Sequence, residues 1–308
     1  MKRLSTPNGR LADYDAVAYD RLRSHATDLG DVRVAHINSP ANGGGVAETL
    51  RSLVPLSNDL GIVTDWYVMD ADEPFFDVTK SMHNGLQGQD IDLTKPMWNT
   101  YRQWTERNAA TLAEEYDVIV LHDPQTLGMI ADLSERFPET RFIWRCHIDV
   151  TAADDQWLEF LTDDIRRVDL AIVSRAEYGW EFPVSTAVIH PSIDPLSPKN
   201  RPLGREQRAA ERDRLAPLEF GDDSPVITQV SRFDPWKDQF GVIDAYRRVK
   251  ESVPSVQLVL VSGMADDDPE DAEIYERVAD ATADDPDIHL LTNVPDTTIN
   301  FLQRESMS

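Results

Sequence analysis

Four short stretches of the chain combine residue types that could do chemistry. In NSPANGGGVAETL, Asn38 to Leu50, the residues Gly43, Gly44 and Gly45 stand between a strand-like run and a helix-like one. Glycine at a strand-to-helix turn lets backbone N–H groups approach a ligand and point at it, while the helix dipole adds about half a positive charge. That suits a phosphate or a developing anion; the competing reading is a permissive turn with no ligand. RCHID, Arg145 to Asp149, closes a strand with a cation, an imidazole and a carboxylate. Ligands in open α/β sheets bind beyond the carboxyl ends of strands, which makes His147 and Asp149 candidates, although a lone histidine is more often a satisfied structural residue. HDPQ, His122 to Gln125, ends another strand in the same way, with an ordinary turn through Asp123 and Pro124 as its plainer reading. SRFDPWKD, Ser231 to Asp238, sets Arg232 and Lys237 just after a strand. A guanidinium fork and an ammonium point charge suit a diphosphate. Ion pairs with Asp234 and Asp238 are the alternative, and Pro235 and Trp236 are expected to fix the loop.

Other chemistries lack their signatures. The glycine spacing is neither GxGxxG nor GxxxxGK[ST], so a dinucleotide fingerprint and a P-loop are both absent. The seven histidines are dispersed, there is no HExxH, and the single Cys146 makes neither a thiolate metal site nor an internal disulfide. No GxSxG elbow occurs. The balance of 30 Lys plus Arg against 55 Asp plus Glu gives a net charge of −25. A surface this negative repels nucleic acid and anionic membranes. The acidic residues run along the whole chain, lysine is scarce beside arginine, and Asp outnumbers Glu. That pattern matches proteins of a salt-rich cytoplasm, where screening removes self-repulsion. No leader-like or membrane-spanning apolar run is present, and a cytoplasmic setting is expected.

The elements that must position these residues alternate along the chain. VRVAHIN, IVTDWYVM, DVIVLHD, RFIWRCHID, DLAIVS and TAVIHPSID read as strands, with helices between most of them. The first of these helices is expected from about Gly45 to Leu60, with Val46, Leu50, Leu53 and Val54 on its inner face. Pro96 marks the first turn of another. Short apolar runs of this kind suit buried parallel strands in an α/β sheet. A polar stretch at 196–224 reads as a linker with a short charged helix, dividing an N-terminal domain at 1–195 from a second α/β domain at 225–308. The second has three strands, PVITQVSRF, VQLVLVSG and IHLLTN, and two helices. That is too few to cover a doubly wound sheet and would leave an apolar edge, one that favours association into a homodimer.

Taken in order, HINSPANGGGVAETLRSLVPL, FFDVTKSMHNGLQG, LHDPQ, IWRCHID, HPSIDPLSPKN and QVSRFDPWKD closely resemble the trehalose synthases of the glycosyltransfering type. These are retaining enzymes of the two-domain glycosyltransferase B fold, related to trehalose phosphorylases. The resemblance implies two Rossmann-like domains, no metal and no other cofactor. It also implies transfer of glucose from a nucleoside diphosphate glucose to free glucose, with attack from the face of departure. By resemblance, Gly43, Gly44 and Gly45 face the donor phosphates, His147 contacts the transferred sugar, and Arg232 with Lys237 holds the leaving diphosphate. Asn38, Gln125 and Asp149 are the candidates for binding the acceptor glucose. The family continues beyond NFLQRESMS with two glutamates that touch the donor sugar and the ribose, so the chain reads as C-terminally truncated, with an incomplete second domain. Two alternatives stay open: a trehalose phosphorylase using glucose 1-phosphate, and an inactive fragment that binds a sugar or a partner.

Overall fold

A strand buried on both faces needs apolar residues at odd and even positions alike, and the short runs of this chain supply them. A computed structural model of the protein describes all residues except 8, 10, 15, 43, 180–181, 217, 222–223, 263–269 and 307–308. The chain divides into two units, Met1–Ser192 and Ile193–Ser308.

The first unit comprises β1 (Lys2–Leu4), α1 (Ala16–Leu29), β2 (Arg33–Asn38), α2 (Gly45–Asp59), β3 (Val63–Val68), α3 (Glu73–Leu86) and α4 (Lys95–Thr111). There follow β4 (Val118–His122), α5 (Asp123–Leu127), α6 (Ile130–Arg136), β5 (Arg141–Arg145), α7 (Asp155–Ile165), β6 (Leu170–Val173) and β7 (Thr186–Val188). The seven strands form one sheet in the order β1-β3-β2-β4-β5-β6-β7. All pairs are parallel except β1 with β3, which is antiparallel and has no counterpart among the sequence expectations.

Successive side chains of a strand point to opposite faces. Ile37, Ile119, Leu121, Phe142, Trp144, Ala171 and Val173 enter the main core, where Phe75, Met82, Tyr101, Leu127, Trp157 and Leu161 of the helices cover them. His36, Val120, His122 and Arg145 therefore face the other way, with His36 opposite Val120 and His122 opposite Arg145. On that face α2 covers β2 and β3, burying Ala47, Leu50 and Val54 against Trp66 and Val68. Leu53, expected on the inner face of α2, is 40% exposed, because the stripe is centred on Ala47, Leu50 and Val54. Thr94 caps α4 by accepting from the Met97 amide, with Pro96 in the first turn, as the sequence predicts.

The second unit contains α8 (Arg205–Arg214), β8 (Val226–Val230), α9 (Gln239–Lys250), β9 (Gln257–Ser262), α10 (Glu270–Thr282), β10 (Ile288–Thr292) and α11 (Asp296–Glu305). Its three strands are parallel, in the order β10-β9-β8. One face packs Leu258 and Leu260 against Ile243, Tyr246, Ile274 and Val278 of α9 and α10. The other packs Val226, Val259 and Val261 against Leu215, Leu218, Ile299, Phe301 and Leu302. The expectation of too few helices to cover this sheet is thus corrected. Residues following α8 and the unexpected α11 supply the second layer, and the charged surface of α8 hides a buried Glu211 that accepts hydrogen bonds from Thr297 and Thr298.

Candidate functional site

The N-terminal candidates gather at the carboxyl ends of three neighbouring strands, β2, β4 and β5. Asn38 closes β2 and is 1% exposed. Its Oδ1 accepts from Trp66 Nε1 at 2.6 Å and its Nδ2 donates to the Pro40 carbonyl at 2.7 Å. The side chain is therefore occupied in tying the chain that leaves β2 to β3. Gly43 lies outside the described residues. Gly44 is the N-cap of α2, with φ −139° and ψ 157°, and Gly45 is the first helical residue; no side chain caps the helix. Neither has a positive φ, a Cβ on Gly44 would meet only Pro40 Cγ at 4.0 Å, and one on Gly45 would meet nothing within 4 Å. Neither backbone strain nor crowding requires glycine at either position. Arg51 donates to the carbonyl of Ala41 at 3.2 Å and to Asn42 Oδ1, which holds the preceding turn against α2.

Beside this turn, Asp123 follows β4 with φ 59°, in the left-handed region. Its carbonyl accepts from Trp144 Nε1 at 3.1 Å and its Oδ1 accepts the His147 amide at 2.7 Å, so it joins the ends of β4 and β5. The HDPQ turn is thus more than a plain strand end. Here the imidazoles of His36, His122 and His147 form a line: His36 Nδ1 meets His122 Nε2 at 3.0 Å, and His122 Nδ1 meets His147 Nε2 at 3.0 Å. The rings of His122 and His147 stack at 15° with centroids 5.3 Å apart. Burial pushes His36 down to about 4, and burial with the neighbouring His36, His147 and Arg145 holds His122 well below the usual histidine range. His147, half-buried, is lowered by burial against the pull of Asp123. All three are neutral at pH 7.

Gln125, on α5, carries an Oε1 that is buried and has no hydrogen-bond partner. An acceptor in that state lacks a donor, and a ligand hydroxyl is one. Asp149 has one oxygen engaged locally, Oδ1 accepting from the Thr151 amide at 2.9 Å and hydroxyl at 2.6 Å. Arg145 is buried, donating from Nη2 to the Ile189 carbonyl at 2.8 Å while Nη1 has no partner. Burial also raises the Cys146 thiol, so it is no nucleophile.

In the second unit, Arg232 and Lys237 flank a tight turn after β8. Arg232 Nη2 lies 3.4 Å from Asp234 Oδ2. The buried Asp234 also accepts the Trp236 amide at 2.9 Å. Asp238, with φ 50°, caps α9 by accepting from Gly241. Lys237 forms no ion pair among the described residues and is exposed, so only one of the two surface ion pairs weighed from the sequence is made. Trp236 is 45% exposed, with its amide held by Asp234. Gln239, donating to the Arg232 carbonyl at 2.6 Å, and Gln229, donating to the Lys237 carbonyl at 2.7 Å, also tie this loop.

The trehalose synthase N-terminal domain family matches residues 36–180, a span that includes the glycine turn and the three histidines of the line. The trehalose synthase of Rubrobacter xylanophilus is 43% identical over 98% of this chain and 75% of its own length. The chain belongs to the trehalose synthase family. A trehalose phosphorylase of Pleurotus pulmonarius is a more distant relative, 25% identical over 83% of the chain and 40% of that protein. Among solved structures, trehalose-6-phosphate synthase from E. coli bound with UDP-2-fluoro glucose superposes with a TM-score of 0.63 at 14% identity, over 87% of this chain and 75% of that one. That likeness fixes the fold as glycosyltransferase B, and this trehalose synthase family member is a glycosyltransferase of trehalose metabolism. Among its described residues no helix is long and apolar enough to cross a membrane.

Sequence reasoning missed His36, and it named His122 and Arg145 within HDPQ and RCHID without giving either a role. The available signal was positional: His36 stands two residues before the end of β2, His122 at the end of the adjacent β4 and His147 just beyond β5, with parities that bring the first two to one face.

Proposed function

We propose that the chain transfers glucose, with retention, from a nucleoside diphosphate glucose to free glucose, forming the α,α-1,1 bond of trehalose. The observation that carries this reading is the start of α2. Gly44 and Gly45 leave open space over an uncapped helix N-terminus that nothing in the fold requires to be glycine. Breaking the bond from anomeric carbon to phosphate builds positive charge on the sugar and negative charge on the diphosphate. Fixed N–H dipoles and cations lower that barrier without reorganising.

In this reading the helix start in the first unit, and Arg232 and Lys237 in the second, are each diphosphate-binding groups, and His147 takes a hydroxyl of the transferred sugar. Gln125, with its vacant acceptor, and Asp149 take the acceptor glucose, and Asn38 shapes the turn instead of touching sugar. The N-terminal unit is then the acceptor side and the C-terminal unit the nucleotide side. The setting proposed is a salt-rich cytoplasm, on the ground of the acidic composition.

The purified chain with glucose and labelled UDP-, ADP- or GDP-glucose tests this by chromatography of the products. Labelled trehalose is the expected result. Labelled trehalose from glucose 1-phosphate as the sole donor to glucose, with release of phosphate, would favour a phosphorylase, the activity for which the Pleurotus relative is named. Neither product, with no nucleotide binding by calorimetry, would overturn the transferase reading for this chain.

A further inference from the structure

The proposed reaction uses His147 and gives no task to the imidazoles behind it. Buried histidines ordinarily rest on backbone carbonyls or carboxylates. Here both ring nitrogens of His122 are taken by other imidazoles, His36 and His147, each at 3.0 Å. A neutral imidazole has one N–H and one bare nitrogen. With one proton needed in each contact, only two arrangements satisfy the line. In one, all three rings carry the proton on Nδ1, so His36 donates to His122, His122 donates to His147, and His147 keeps Nδ1–H for an outside partner. In the other, all three carry it on Nε2 and His147 offers a bare Nδ1. The tautomer at His147 is thereby tied to that of His36, two rings away.

Asp123 separates the two arrangements. Its carboxylate accepts the His147 amide at 2.7 Å and its charge acts on the His147 imidazole, whose Nε2 is already taken by His122 and whose other nitrogen is Nδ1. A negative charge there favours the positive end of an N–H dipole. Burial reinforces the choice of neutral rings, since a second proton on His122 would place an N–H against another N–H and a charge in the core.

We propose that His36 and His122 are positioning residues that hold His147 in the Nδ1–H tautomer with its ring plane fixed, so that Nδ1 presents a hydrogen-bond donor to a hydroxyl of the transferred sugar. The final clause rests on the transferase reading above; the tautomer line does not.

Long-range nitrogen–proton spectra of the imidazoles, recorded on the full chain labelled with 15N-histidine above pH 7, test it directly. The wild type is expected to show His36, His122 and His147 all protonated on Nδ1. His122→Phe keeps a ring but removes both contacts, and His147 should then show mixed tautomers, with Asp123 alone favouring Nδ1–H against the Nε2–H form that an unconstrained imidazole prefers. In the transfer assay the same variant should show kcat lowered roughly ten-fold, the weight of one hydrogen bond, with the acceptor KM unchanged. Different tautomers among the three wild-type rings would overturn the proposal whether or not the variant folds. So would a folded His122→Phe protein whose His147 nitrogen shifts do not move. A wild-type chain that shows the common tautomer but transfers no glucose would overturn the transferase reading and leave the line of imidazoles standing.

Discussion

Gly44 and His36 make opposite demands on their surroundings, and each yields a measurement. A side chain at Gly44 meets only Pro40 Cγ at 4.0 Å, and the backbone there, at φ −139°, is open to any residue. Gly44→Val should therefore leave the thermal midpoint and far-ultraviolet spectrum near wild type while abolishing transfer, because the valine fills the space over the α2 amides. Unchanged transfer would reduce the three glycines to a turn. His36 is the reverse case, a group whose environment forbids its charge. Its pKa is about 4 in the folded chain against 6.5 unfolded. Between those values the unfolded chain binds a proton that the folded chain refuses, so stability is full above pH 6.5 and is lost as the pH falls toward 4. The loss from this one group is on the order of 3 kcal/mol. Urea titrations across that window should show a steep acid slope in wild type and a shallower one in His36→Phe; equal slopes would mean that His36 does not oppose protonation.

Gly85 lies where two helices touch, and the reason for it belongs to the elements rather than to the residue. A Cβ on Gly85 of α3 would sit 2.2 Å from Cδ1 of Trp157 on α7, and Trp157 is fully buried with its Nε1 donating to the Ile91 carbonyl at 2.8 Å. A rigid, hydrogen-bonded indole cannot yield as a flexible side chain would, so Gly85→Ala should cost about 1–3 kcal/mol, read as a lower urea midpoint with an unchanged slope. That glycine was visible in FFDVTKSMHNGLQG, but its reason was not, since the tryptophan it accommodates is 72 positions away. The same limit marks the rest of what could be read. The strands of the first sheet and α2 were legible because periodicity and burial are local properties. β1 was not, because three residues of an edge strand carry no periodicity and take their register from β3. α11 escaped notice although Phe301 and Leu302 are its buried face, because its use depends on Leu215 and Leu218 after the charged α8. Of the candidate site, the glycine turn and the basic pair could be read from residue type. The vacant acceptor of Gln125 and the line of imidazoles arise from strand register and appear only in three dimensions.

Charge acts on the molecule as a whole. Thirty basic residues cannot neutralise 55 acidic ones, so a net −25 remains however the ion pairs are arranged. Several of those pairs are exposed at both ends, such as Arg166 with Asp163 and Arg175 with Glu177, and contribute little to stability. Two opposite salt effects therefore compete. Screening weakens the ion pairs, which destabilises, and it weakens the mutual repulsion of the excess carboxylates, which stabilises. The excess outnumbers what the pairs can lose, so the second effect should win. The Debye length falls from about 10 Å at 0.1 M to about 3 Å at 1 M, so most of the gain should come over that interval. A general salting-out effect on apolar burial would instead keep growing with concentration. Thermal melts in potassium chloride should thus show a midpoint that climbs steeply at first and then levels. A midpoint that falls over the first interval would mean that the ion pairs outweigh the repulsion. A gain that is linear throughout would assign the stabilisation to burial instead of charge. The line of neutral histidines is buried and uncharged, so its acid slope should persist in high salt while the repulsive contribution disappears. Repeating the His36→Phe comparison in concentrated potassium chloride separates the two on one protein.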